Sequence, residues 1–280
     1  MMQSNCKYID VDNRPHLGTA VVPVRKGLTL LELIVVVAIL VVLSSLAIPL
    51  LSSVLVQARL STNATAINDV SRAVGSYLGR YGKYPDGWDS LLNTGGTLYK
   101  QLTETITGTA RSSGTAPPAL LATMALTQIQ WESLNSAGIT TLYSNNESTT
   151  AAPNMNFTNP TTLTAGSTVA KLIHPTSSTA FAAGVINVNQ LDNVMPGAEY
   201  VVFGLGSNST MRGTTIVDAP INNGVDAGVY YARMMCVFMV PGTAATESTQ
   251  AKFVGCFAPD GSSLRDNMER YNGNVSDVSN

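Results

Sequence analysis

Apolar positions fall into three regimes along this chain. From Leu28 to Val56 nearly every residue is Leu, Ile, Val, Ala or Ser, with no polar face of the kind an amphipathic helix shows. About 20 helical residues cross a hydrocarbon core, so this run is long enough to do so. From Gln57 the pattern changes. Leu60, Ile67, Val70, Val74, Tyr77 and Tyr81 are spaced by seven, three, four, three and four, one stripe on a helix. Arg59, Asn63, Asp69, Arg72, Ser76 and Arg80 fall mostly off it. Gly82 and Pro85 stop the pattern. The two regimes together predict one helix over 28–81, about 80 Å long at the helical rise. Its half at 28–56 needs an apolar surround, and its half at 57–82 lays a stripe on the remainder, a head of residues 83–280.

The third regime is the head. The stretch GRYGKYPDGWDSLL (79–92) leaves the helix through turn residues, and Tyr81, Tyr84 and Trp88 read as head packing. Residues 93–170 are rich in Thr, Ser, Asn, Gly and Pro. Within them a second helix is expected over about 118–136, and residues 144–168 read as a long exposed loop. Beyond 171, TAFAAGVINV (179–188), EYVVFGLG (199–206), GVYYARMMCVFMV (228–240) and AKFVGCF (251–257) read as strands. The expected fold is α+β, an antiparallel sheet of about four strands with the long helix on one face.

Cys236 and Cys256 fall in the last two of these runs. A hairpin that pairs them also opposes Met235 with Phe257 and Val240 with Lys252, and turns near Thr246. Two readings stay open, a disulfide or two free buried thiols. The third cysteine, Cys6, lies in the N-terminal segment.

Charge changes the picture at the N-terminus. The first 27 residues carry four basic and two acidic side chains, the other 253 carry 12 basic and 16 acidic. Arg25 and Lys26 abut the apolar run, so by the positive-inside rule the N-terminus stays in the cytoplasm and the head crosses. A signal-anchor helix fits this, and so does a secretory signal peptide cut after Ser45-Leu46-Ala47. From Gly27 to Ala58, Glu32 is the one charged residue. A carboxylate at the middle of a bilayer costs about 2.5–3.5 kcal/mol, so Glu32 calls for a partner.

Gly27 follows two basic residues and precedes the apolar block, Glu32 stands five positions after it, and Pro49 lies deep in the run. Together, KGLTLLELIVVVAILVVLSSLAIP resembles the N-terminal signature of type IV pilins and type II secretion pseudopilins, over about residues 25–59. Leu28 departs from the Phe commoner at the first mature position. The resemblance implies a leader of residues 1–27, cut by a prepilin peptidase between Gly27 and Leu28, with N-methylation of the new amine. It implies that Glu32 pairs with the Leu28 amine of a neighbouring copy during assembly, the amine of its own helix one turn away being the other partner in reach, and that the helix stretches or melts around Pro49. A simple kink at Pro49 is the other reading. The implied partners are copies of this chain and other pilins, the peptidase and an inner-membrane assembly platform. The implied location is the inner membrane, with the head periplasmic, and then a surface filament.

No catalytic constellation is legible and no cofactor is expected. The low charged fraction, 12%, gives no basic stripe for nucleic acid. GLGSNST (204–210) lacks the third glycine of a phosphate loop. His174 has no Cys or Ser partner nearby in sequence. Asp260, Asp266 and Glu269 are read as solvated loop acids before calcium ligands. Asn63, Asn146, Asn156, Asn208 and Asn274 each open an N-x-S/T triplet. The expected function is structural, a pilin. The alternatives are a type II secretion pseudopilin, an anchored adhesive module and, last, an anchored enzyme.

Overall fold

A computed structural model describes residues 30–107, 119–146, 157–173, 197–222 and 225–259. Contacts divide the chain between Leu51 and Ser52. Helix α1 spans Leu30–Tyr81, as the two apolar regimes predict. In its first part, every side chain described from Leu30 to Ser44 is exposed.

In the second unit the stripe from Ile67 to Tyr77 is buried where its periodicity puts it, while the side chain of Leu60 lies outside the described ones. Ile67, Val70, Ala73, Val74 and Tyr77 share one apolar cluster with Trp88, Val201, Phe203, Cys236 and Phe238. Two positions depart from the expectation. Asn63 is buried, because it sits one turn before Ile67 on the same face. Tyr81 is 43% exposed, with its ring 4.5 Å from that of Tyr77 and the Arg80 guanidinium 5.5 Å above it. It lies in the last turn, where Gly82 takes φ 68 and donates its N–H to the Leu78 carbonyl, closing the helix.

The described residues hold eight strands in one sheet: β1 (Trp88–Asn93), β2 (Leu121–Ala125), β3 (Thr141–Asn145), β4 (Phe157–Thr162), β5 (Thr168–Leu172), β6 (Glu199–Gly204), β7 (Met235–Val240) and β8 (Lys252–Phe257). The order is β2-β5-β6-β1-β3-β4, with β7 on β6 and β8 on β7. All pairs are antiparallel except β1 with β3. β7 lies along the whole of β6. The remaining pairings of β6 are single ones, with β5 at Lys171↔Val201 and with β1 at Asp89↔Gly204. β7 is buried along its whole length. Its alternate residues enter two clusters. Cys236, Phe238 and Val240 join the stripe of α1. Met235, Val237 and Met239 join Tyr99, Leu102, Ile106 and Tyr231, contributed partly by the short helix α2 (Glu104–Thr107). A strand covered on both faces reads as a continuous apolar run, which is how MCVFMV reads.

The α+β class stands, and the strand count does not. The predicted helix over 118–136 is a strand followed by a helix, β2 and α3 (Gln128–Ser136). Leu121–Ala125 pairs along its full length with β5, so sheet pairing overrides the helix propensity of ALLATMAL. Thr127 then caps α3, accepting from the Gln130 N–H while the Gln130 side chain accepts from the Thr127 N–H. The loop expected over 144–168 holds β4 and the start of β5. β4 carries Pro160, which an edge position tolerates. The turn stretch after α1 runs straight into β1. Asp86 fixes that turn: its carboxylate accepts from the N–H groups of Thr140 and Thr141 at 3.0 and 2.8 Å and from the Thr140 hydroxyl. Tyr84 and Trp88 are buried, as expected of head packing. The predicted strand at 179–188 lies outside the described residues.

Candidate functional site

The expected processing and assembly residues, Gly27, Leu28 and Glu32, fall at the start of the N-terminal apolar run. Glu32 sits in the first turn of α1 and is exposed. A carboxylate there is favoured by the positive end of the helix dipole. Around it Leu30, Leu31, Leu33, Ile34, Val35, Val36 and Val37 are all exposed, from 46% to 76%. The apolar surface continues around the helix to Leu43. Soluble monomers rarely carry such a contiguous apolar surface, which marks a surface meant to be covered. Gly27 and Leu28 lie outside the described residues. Pro49 lies within the span of α1.

Among the described residues, no helix is long and apolar enough to cross a membrane. The side chains described in the apolar run are those of residues 30–44, together with Val54.

In the head, Cys236 and Cys256 are paired directly across β7 and β8, with Met235 opposite Phe257. The expected register therefore holds at this end of the hairpin. It slips by one at the other, where Lys252 opposes Met239 instead of Val240, because the pairing shifts between Val237 and Phe238. Both cysteines are buried and free, with sulfurs 2.8 Å apart. Burial, then the contact with Cys256, pushes the Cys236 thiol well above its ordinary range.

A second cluster was not legible in sequence. Asp89 of β1 is buried, and its Oδ2 accepts from the Tyr231 hydroxyl at 2.9 Å. Arg233 lies two residues on and is 7% exposed. Burial pushes the Asp89 carboxyl up to about 7, with the Tyr231 hydrogen bond and then the Arg233 charge pulling the other way. Burial, and next the Asp89 charge, pushes the Tyr231 phenol well above its ordinary value. GLG at 204–206 makes the room. A Cβ at Gly204 would lie 1.9 Å from the Tyr231 hydroxyl, and one at Gly206 would lie 1.9 Å from Asp89 Oδ1. These glycines admit an acid and a phenol, and their side of the strand is filled by Asp89 and Tyr231 rather than open to a phosphate. The signal available in sequence was the glycine pair within a strand run, which marks close approach.

Among the described residues, no group of His, Cys, Asp and Glu is arranged to hold a metal. His174, Asp260, Asp266 and Glu269 lie outside the described residues, as do Asn156 and Asn274. Of the other triplet asparagines, Asn63 is buried and Asn208 donates its amide to the Phe157 carbonyl at 2.7 Å, while Asn146 is exposed.

Residues 23–48 match the family model of the prokaryotic N-terminal methylation motif. This is the class III prepilin signature of type IV pilins and pseudopilins, and the chain carries it. The motif supports a pilin-like or pseudopilin-like precursor with a leader and methylation, implies processing by prepilin peptidase and assembly with other pilins, and belongs to structural rather than enzymatic proteins. It is consistent with a membrane-anchored precursor and a cell-surface filament. No curated protein and no solved structure matches the chain.

Proposed function

We propose that this chain is the precursor of a filament subunit, a pilin whose apolar half-helix first anchors it in the inner membrane and then packs with copies of itself. The observation that carries this reading is the exposed apolar surface of Leu30–Leu43 with Glu32 in its first turn, inside the methylation motif. The peptidase cuts between Gly27 and Leu28. Gly27, without a side chain, leaves the scissile bond unobstructed. The new Leu28 amine is a positive charge beside an apolar surface, and Glu32 of a neighbouring copy compensates it. Neither charge is tolerable alone in a dry bundle, so their pairing fixes the axial register of docking. Pro49 removes one backbone donor and loosens the helix locally, with Ser44, Ser45, Ser52 and Ser53 near enough in sequence to serve the freed carbonyls.

In this account residues 1–27 are the leader, 28–56 the membrane and filament-core half, 57–82 the half that carries the stripe, and 83–280 the head on the filament surface. Cys236 and Cys256 form a disulfide once the head is exported, where such bonds persist. Shearing cells and probing the supernatant tests the assembly. A surface filament is released into the sheared fraction. A pseudopilin of type II secretion stays with the envelope. An adhesive module depends for binding on the Thr- and Asn-rich region 93–170 and needs no Glu32.

A further inference from the structure

Asp89 is the residue at which β1 meets β6, opposite Gly204. Immediately after it the pairing of β1 with β3 becomes irregular, and Leu91 takes φ 59, a left-handed conformation that a branched residue seldom adopts. Its partner Tyr231 comes from the segment leading into β7 and donates its own N–H to the Gln101 carbonyl at 2.9 Å. The Asp89–Tyr231 bond therefore ties β1 to the β7 approach and to the chain that covers that face of the sheet.

The junction is underfilled with partners. Among the described residues, buried Asp89 Oδ1 has no hydrogen-bond partner, and neither do the buried Nε and Nη1 of Arg233. A buried carboxylate that receives one hydrogen bond is poorly compensated as an anion, whereas a protonated carboxyl is neutral. We propose that Asp89 is a proton-binding site built into the head, which holds its proton in the folded state, so that the junction of β1 with β6 weakens as pH rises.

Among the described residues, the charged and titratable groups that act on Asp89 are Tyr231 and Arg233, and Cys236 acts on Tyr231. Tyr231 stays neutral and is the hydroxyl partner. Arg233 is the counter-charge left facing the anion when the proton departs. Burial outweighs both, in the direction the geometry requires. The unfolded carboxyl titrates at its ordinary value of 3.8 and the folded one at about 7. The folded state thus binds the proton more tightly. Its extra stability is complete below the ordinary value, is lost as pH rises through the folded one, and is level above that. One linked proton makes the unfolding constant rise by up to about tenfold per pH unit within the window.

The test is urea unfolding of the full-length protein in detergent from about pH 3 to 8.5, a range that spans both limits of the linkage. Trp88, next to Asp89, reports by fluorescence in a Trp131→Phe background. Wild type is expected to lose stability between the two limits and level off above them. Asp89→Asn flattens the profile, and Tyr231→Phe moves its upper limit to higher pH, because a hydrogen bond that favours the anion is gone. A purely structural Asp89 predicts instead a loss that is the same at every pH. An Asp89→Asn slope equal to wild type overturns the proposal. Should Asp89→Asn fail to fold, carbon NMR of the wild-type Asp89 carboxyl decides. A midpoint near the ordinary value overturns the proposal, and one displaced well upward supports it.

Discussion

Cys236 and Cys256 face each other directly across β7 and β8, with their sulfurs 2.8 Å apart. Directly opposed residues of an antiparallel pair have Cα atoms about 4.5 or 5.5 Å apart, within the span a disulfide requires. Oxidation of this pair is expected to close a loop of about 20 residues and to stabilise the head by about 3 kcal/mol. The thiols are buried, so oxidation must precede the sealing of the core. Head folded in reductant is expected to resist alkylation until it unfolds, and exported protein to show no thiol at either position. Rapid labelling of native reduced protein would contradict the buried pair.

Gly206 lies against the Asp89 carboxylate. A methyl group there would come within 1.9 Å of Oδ1 and 2.4 Å of Cγ. Gly206→Ala is expected to push Asp89 out of its bond with Tyr231 and to cost about 1–3 kcal/mol, the usual range for overpacking a core. Thermal or urea unfolding reads this. A variant as stable as wild type would mean that the close approach is relaxed in solution.

Asp86 gathers the start of β3 onto the turn that follows α1. It accepts from Thr140 and Thr141, and its own N–H donates to the Thr210 hydroxyl at 2.9 Å. Asp86→Ala leaves those donors to water and is expected to cost about 2–3 kcal/mol. Amide exchange should rise first at Thr140 and Thr141. Uniform exchange across the head would argue against a local staple.

The helix and the final hairpin were legible in sequence because their signals are local. The stripe from Ile67 to Tyr77 has helical spacing, and Cys236 with Cys256 follows from two apolar runs and one turn. The slip between Val237 and Phe238 was not legible, since a bulge reflects packing of both faces. β1 was hidden for a different reason. WDSLLN is short, carries Asp89 at a buried position and follows turn residues, so neither alternation nor composition marks it. β2 looked helical because Ala, Leu and Met favour helices, and only its partner β5, more than 40 residues away, decides otherwise. The Thr127–Gln130 capping box was a local signal for where α3 begins, and it argued against a helix starting near 118. The Asp89–Tyr231 pair joins residues 142 positions apart, beyond any local pattern.

Glu32→Gln tests the assembly step. The substitution keeps size and removes the charge, leaving the Leu28 amine of the neighbour uncompensated. Removing one partner of a buried pair costs about 3–5 kcal/mol, so docking should weaken by at least a hundredfold. Cleavage at Gly27 should proceed normally, because the peptidase acts before assembly. Normal filament yield from cleaved Glu32→Gln subunits would contradict the pairing.

The most direct measurement is the intact mass and N-terminal peptide of the protein recovered from sheared cell-surface material. A processed filament subunit is expected to begin at N-methylated Leu28 and to be two mass units light for a Cys236–Cys256 bond. A chain beginning at Met1, or after Ala47, would contradict this reading and leave an anchored or secreted binding module in its place.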